Sequence, residues 1–335
     1  MIMGIESSCD DSSVAIIDSR TLALVHYEKI TQEAEHAKYG GVVPELAARL
    51  HTAALPDLIE RASVHFGRLK AVAVTCEPGL SVSLIGGVSA ARALCAALNL
   101  PIIGVNHLIG HIYSLFLERE ATLPLGVLLV SGGHTMILEI DANGVINVLA
   151  STGDDSFGES FDKVAKMLGL GYPGGAIIEK MAREGDASKF DFTVPLKGDP
   201  RLEYSFSGLK NQVRLAIENN SNLDMQFKFD ISASFQRVAI AHIMDKLEKI
   251  FAQKRFANFG VVGGASANAV LRSNLKELCE RYDSNLIFAP LKFCSDNAAM
   301  IARAGLAAYQ GGGANLDLLS VAMSPRSDLN GARIC

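Results

Sequence analysis

The chain has 335 residues, 49% of them hydrophobic and 20% charged, with a formal net charge of −5. That length supports two domains, each with its own core, and the composition excludes a disordered or fibrous chain. The acidic balance excludes a protein that grips nucleic acid by bulk positive charge, leaving only local basic stretches such as Gln253–Phe256 and Ser207–Arg214.

The N-terminus, MIMGIESSCDDSSVAIID, lacks the basic segment and cleavage site of a signal peptide and reads as strand. Strands are predicted at IMGIES, SVAIID and ALVHYE, the first two flanking the turn SCDDS. A helix is predicted from Pro44 to about Phe66, then strand KAVAVT, the break CEPGL, a helix over SVSLIGGVSAARALCAAL, strand PIIGVN and a helix carrying His107 and His111. A second series starts at Leu125 with strand GVLLVS, a tight GGH turn, strand TMILEID, the hairpin signal Asn143-Gly144 and strand VINVLA. Helices are predicted from Glu159 to about Leu168, from about Ala176 to Arg183, over Leu209–Glu218 and over Phe229–Phe251. Strand FGVVGG, a helix from Ser266, strand NLIFAP and the helix SDNAAMIARAGLAAY complete the chain. Apolar runs such as LGVLLV are too short to span a bilayer, so no membrane association is expected. The six cysteines (Cys9, Cys76, Cys95, Cys279, Cys294 and Cys335) form no CxxC pair and read as reduced thiols of a cytoplasmic protein.

Both series share one order: hairpin, extra strand, helix, strand–glycine loop–helix, strand–helix. A duplicated unit of this kind predicts two α/β lobes facing across a central cleft, with ligand at the glycine turns. Ser131-Gly132-Gly133 occupies in the second series the place that Ser7–Ser13 occupies in the first. Gly263-Gly264-Ala265-Ser266 and Pro173-Gly174-Gly175 each open a helix, where free N–H groups favour an anion. Together they predict a nucleotide site. There is no GxxxxGK[ST] run, and GGVSAA lacks dinucleotide-fingerprint spacing.

His107 and His111 stand four residues apart, so both rings leave the same helix face. The spacing alone suits two metal ligands or two histidines sharing a face. A zinc protease of the HExxH kind needs a glutamate after the first histidine, where this chain has Leu108. An ATPase or small-molecule kinase, and a non-catalytic scaffold, are the other readings. A scaffold has no use for the histidine pair.

The stretches GIESSCDDSSVAI, YGGVVPELAAR, PGL, NHLIGH, LLVSGGHT, GESFDKVAKMLGLGYPGG, YSFSGLK, VVGGASAN and CSDNAAMIA run in order from residue 4 to about 302. In them the chain resembles the TsaD family, which attaches threonylcarbamoyl to N6 of adenosine 37 in tRNAs reading ANN codons, and its KEOPS counterparts. The resemblance implies the two-lobed α/β fold of actin, sugar kinases and Hsp70 (ASKHA). The first lobe would hold residues 1–115 and about 297–335, and the second about 116–296. It implies one divalent metal per subunit, Fe(II) in preference to Zn(II), on His107, His111 and Asp296, although Asp296 alone would read as a helix cap. It implies a threonylcarbamoyl-AMP site at Leu129, Val130, Ser131, Gly132, Gly133, Asp162, Gly175 and Asn268, with Glu179 one turn beyond Gly175. Without it, Asp162 reads as a surface partner of Lys166 and Asn268 as a helix-start residue bonding its own backbone. The metal would act as a Lewis acid while the amine displaces AMP, and Asp10 or Asp11 would orient the amine or take its proton. The family partners are a TsaB-like paralogue and a TsaE-like ATPase, with Leu80–Leu98 either a partner face or a buried helix. Three positions depart from the family pattern: Asn106 for a frequent histidine, Ser7 for threonine and Asp11 for glutamate.

Overall fold

A computed structural model describes residues 1–334; Cys335, grouped above with the thiols, lies outside the described residues. The elements in chain order are β1 (Ile2–Glu6), β2 (Asp11–Ile17), β3 (Leu24–Thr31), α1 (Glu33–Ala37), α2 (Pro44–Arg61), β4 (Ala71–Glu77), α3 (Ser81–Leu98), β5 (Ile102–Asn106) and α4 (His107–Tyr113). There follow β6 (Leu125–Val130), β7 (Thr135–Ile140), β8 (Ile146–Thr152), α5 (Phe157–Met167), α6 (Gly174–Ala182), β9 (Glu203–Tyr204) and α7 (Ser207–Glu218). The last are α8 (Met225–Gln253), β10 (Asn258–Val262), α9 (Ala269–Arg281), β11 (Asn285–Phe288) and α10 (Ala298–Gln310).

Contacts divide the chain into two units. One comprises Met1–Leu123, Ala142–Ile146 and Ala289–Cys335, the other Pro124–Asp141 and Asn147–Phe288. The divisions thus fall at Leu123/Pro124 and Phe288/Ala289. Asp296 therefore belongs to the same unit as the two histidines.

The first unit holds a sheet in the order β3-β2-β1-β4-β5, with β1–β2 and β2–β3 antiparallel and β1–β4 and β4–β5 parallel. Alternation along the strands sends Met3, Ile5, Val14, Ile16, Val72 and Val74 into a core with Leu55, Leu58, Val88 and Ala91 of α2 and α3. On the opposite face Gly4 pairs with Ala15 and Ala73, making a small patch under α10, where a Cβ on Gly4 would lie 2.4 Å from Ala302 N and 2.5 Å from Ala298 O. The second unit holds the order β11-β10-β6-β7-β8-β9, with β6–β7 antiparallel and β6–β10 and β10–β11 parallel. Read as β8-β7-β6-β10-β11, it repeats the first sheet's plan, so the duplicated order expected from sequence is present. Its core joins α5, α7, α8 and α9 through Phe157, Phe161, Leu209, Phe235, Ile243 and Leu275.

Helix ends moved where caps or burial decided otherwise. The helix from Pro44 stops at Arg61 and a 3-10 turn, Ser63–Arg68, follows. No buried stripe continues past Ala62, and Val64 is 82% exposed. α8 begins at Met225 because Asp224 accepts the Phe227 N–H at 2.8 Å. The predicted helix from Ser266 is a 3-10 turn, Gly264–Ala267, followed by α9. The two-residue β9 has no periodicity to announce it. α3 corrects the reading of apolar runs: it is 18 residues long and apolar enough to cross a membrane by composition. One face, with Leu84, Val88, Ala91 and Leu94, is built into the first unit's core. Cys9, Cys76, Cys95, Cys279 and Cys294 form no disulfide.

Candidate functional site

The histidine helix α4 is set by its cap. Asn106, one of the departures from the family pattern, accepts the N–H groups of Leu108 at 2.9 Å and Ile109 at 3.3 Å. Its amide nitrogen donates to Glu77 Oε1 and Ser327 Oγ, so the start of the helix is tied on both sides. Gly110, between the histidines, lets α4 lie against α10: a Cβ there would meet Ile301 Cδ1 at 2.7 Å. Asp296 precedes α10 but does not cap it. Asn297 does, accepting the Met300 N–H at 3.0 Å, which leaves the Asp296 carboxylate to the histidines.

His107 Nε2 lies 3.3 Å and His111 Nε2 3.2 Å from the same oxygen, Asp296 Oδ1. The three ligand atoms fall within 4.8 Å of one another, the only such group of three among the described residues. Among the described residues neither ring nitrogen of the buried His111 has a hydrogen-bond partner, since its approach to Asp296 lacks hydrogen-bond geometry. Two ligands held by a metal at ~2.05 Å with a tetrahedral angle sit ~3.3 Å apart, which is the spacing found. Leu108, where a zinc protease carries its base, is buried apolar core.

The charges agree with a cation. Burial opposes a charge on His107, but the carboxylates of Asp296 and Glu6 overcome it and hold the ring well above its usual range. Burial lowers His111. Burial would raise Asp296 and Glu6, yet His107 beside both keeps them ionised. A divalent ion bound between these carboxylates would supply the positive charge that the His107 ring otherwise provides. Of the two turn aspartates, Asp11 pairs with Lys29 Nζ, which also donates to Asp296 O at 3.0 Å. Burial lifts Asp11 to about 7 against the pull of Lys29, and its Oδ1 is buried without a partner. Asp10 offers its carbonyl to the Gln32 N–H. Sequence reading missed Glu6, Thr75 and Lys29, because each reaches the centre only through sheet pairing, and it gave Ser8 no role beyond its turn.

The residues expected to hold an adenylate all lie in the second unit. Leu129 and Val130 are buried in β6, so only their backbone can face a ligand. Ser131 closes its turn by accepting the His134 N–H, and Ser156 Oγ donates to Gly132 O at 2.7 Å. At Gly132, Gly133 and Gly175 an added Cβ would meet nothing within 4 Å, whereas at Gly263 (φ +92°) it would strike Val130 O at 2.2 Å. The first three therefore border open space and the last is needed for packing. Asp162 accepts the Gly174 N–H at 2.6 Å, Glu179 the Ala269 N–H at 3.2 Å, and Asn268 the Leu271 N–H at 2.9 Å. Asn268 also donates to Gln236 Oε1. These bonds link α5, α6, α8 and α9, and they make Asn268 the α9 cap that its position suggested.

The family described as TsaD: tRNA N6-adenosine threonylcarbamoyltransferase matches residues 24–303. A protein of that name from Campylobacter fetus subsp. fetus (strain 82-40) is 66% identical over 334 residues, covering 100% of this chain and 99% of that protein. One of the same name from Campylobacter jejuni subsp. jejuni serotype O:23/36 (strain 81-176) is 60% identical over 310 residues, 92% of each chain. Among solved structures, component A of the Acidaminococcus fermentans (R)-2-hydroxyglutaryl-CoA dehydratase superposes with TM-score 0.55 at 14% identity, covering 92% of this chain and 98% of that one. Full-length HypF in its phosphate- and nucleotide-bound form gives 0.57 at 14% identity, over 97% of this chain and 56% of that one. These likenesses place the fold in the ASKHA class, as expected from the duplicated sheets. The chain belongs to the TsaD family, tRNA N6-adenosine threonylcarbamoyltransferase, the transferases that form t6A on tRNA.

Proposed function

We propose that the acyl donor is threonylcarbamoyl-AMP, that the acceptor is N6 of adenosine 37 in tRNAs reading ANN codons, and that one divalent metal assists the transfer. The single observation that carries the metal is the convergence of His107, His111 and Asp296 on one point. Two imidazoles and one carboxylate with open positions form the donor set of non-haem Fe(II) sites, so Fe(II) is preferred to Zn(II). When bound, the ion would supply Lewis-acid stabilisation of charge growing on oxygen.

The chain's own residues do the rest. The open backbone at Gly132, Gly133 and Gly175 would hold the adenylate, with the N-termini of α5, α6 and α9 favouring its phosphate. Asp162 would fix the start of α6, and Glu179 and Asn268 that of α9. The amine attacks the carbamoyl carbon, the bond from that carbon to the phosphate oxygen breaks, AMP leaves with the electron pair, and N6 gives up a proton. Of the two aspartates, Asp11 is the proposed proton acceptor, because burial lifts its carboxyl to about 7, where a general base works best. Holding the amine in place matters because an exocyclic adenine amine is a weak nucleophile.

A TsaB-like paralogue and a TsaE-like ATPase are the proposed partners, and the exposed Val82 and Ile85 of α3 suit a protein contact. A tRNA substrate and five cysteines outside any disulfide suit a cytoplasmic enzyme. The test is reconstitution with labelled threonine, bicarbonate, ATP, tRNA, the enzyme that makes the adenylate, and the candidate partners. Label on adenosine 37 is expected; unlabelled tRNA in the complete mixture overturns the reading.

A further inference from the structure

We propose that the buried carboxylate of Glu6 is a positioning residue for the metal centre: it holds the Nδ1 proton of His107, so that the ring presents Nε2 to the ion. The inference rests on the metal reading above. Glu6 ends β1 and is fully buried. Its Oε1 accepts the Ser8 N–H at 2.6 Å. Its Oε2 accepts the Thr75 hydroxyl and faces His107 Nδ1 at 3.1 Å. Every neighbour in this arrangement gives a hydrogen and the carboxylate only receives, so Nδ1 must carry the proton and Nε2 keeps its lone pair for a ligand bond. A carboxylate behind a metal-bound imidazole fixes the tautomer and raises the basicity of the ligating nitrogen. Ser8 Oγ lies 3.2 Å from the same nitrogen and can accept a share of that proton.

His111 has no such backing. Its Nδ1 is buried without a hydrogen-bond partner among the described residues. The two histidines, four residues apart on one helix, are therefore held by different means. His107 is aimed by a hydrogen bond before an ion arrives, whereas the buried His111 ring is held by packing, edge-on against His107.

Glu6→Gln separates an electrostatic role from a packing one. The shape and size of the side chain are retained. If the amide nitrogen takes the Oε2 position it points N–H at His107 Nδ1, and the ring must move its proton to Nε2. If the amide is flipped, nitrogen meets the Ser8 N–H, donor against donor. Glu6→Gln is expected to weaken Zn(II) about 10- to 100-fold in competition with a chromophoric chelator. The Co(II)-loaded absorption spectrum should change as well, with far-UV circular dichroism unaltered. Thr75→Val, which leaves the carboxylate in place, should keep the Zn(II) affinity within a few-fold. Should Glu6→Gln bind Zn(II) like the wild type while His111→Ala does not bind it, the metal reading stands and this inference is wrong. A wild type that takes up no stoichiometric Zn(II) ends both. If Glu6→Gln does not fold, long-range ¹H–¹⁵N correlation on the zinc-loaded wild type decides. Protonated Nδ1 with metal-bound Nε2 on His107 is expected, and the opposite assignment overturns the proposal.

Discussion

Gly4→Ala probes the link between the fold and the metal centre. The new Cβ would stand 2.4 Å from Ala302 N, 2.5 Å from Ala298 O and 2.9 Å from Ala302 Cα, all backbone atoms of α10. Comfortable contacts for a carbon lie at ~3.5–4.0 Å, so α10 must move away from β1 by ~1 Å. No rotamer change can absorb this, because nothing in the contact is a side chain. Overpacking of this kind costs ~1–3 kcal/mol, a fall of roughly 6–12 °C in Tm at the upper end for a unit of this size. The loop before α10 carries Asp296, and metal ligation tolerates only ~0.2 Å of error, so Zn(II) affinity should fall together with Tm. Calorimetry and chelator competition measure the two. Gly67→Ala is the control, since its Cβ would meet nothing within 4 Å. If Gly4→Ala melts and binds Zn(II) as Gly67→Ala does, α10 does not depend on the close approach at Gly4 and the reasoning fails.

His111→Ala should abolish bound metal and t6A formation together while the protein still melts cooperatively; full transfer by the metal-free variant would remove the ion from the chemistry. Asp11→Asn should lose transfer without losing metal, which single-turnover assay and metal analysis would separate. Gly175→Val fills space bordered by no other atom, so AMP binding should weaken while Tm holds, as calorimetry would show. His242 supplies a pH dependence away from the metal. Burial holds it at about 4 against an ordinary 6.5. The native state keeps it neutral, so the unfolded chain binds the extra proton first as pH falls. Its contribution is complete above 6.5 and is lost between there and about 4, up to about 3 kcal/mol in all. Urea unfolding at pH 7 and 4.5 should show the wild type losing more stability than His242→Gln, which keeps an acceptor for the Ser205 N–H; equal losses would contradict this.

Much of this molecule was legible residue by residue. Repeats of two and of 3.6 residues depend only on neighbours along the chain, so most strands and helices, and their duplicated order, could be read directly. The same holds for His107 and His111, which one helical turn places on one face. Nine ordered motifs sufficed for the family, because local spacing survives in one dimension. Other features required the chain to close on itself. Asp296 and Asn297 are adjacent polar residues ahead of an apolar helix, and either could have capped it. The extended backbone of Asn297 gives it that task, and only then does Asp296 turn to histidines 185 and 189 positions earlier. Glu6, Thr75 and His107 meet because β1, β4 and β5 lie side by side, a neighbour order set by which faces could be buried together. Gly4 looks in sequence like a weak spot in a strand, yet it is where α10 comes closest. Hydrogen-bond direction and close approach belong to pairs distant along the chain, and only tertiary packing chooses those pairs.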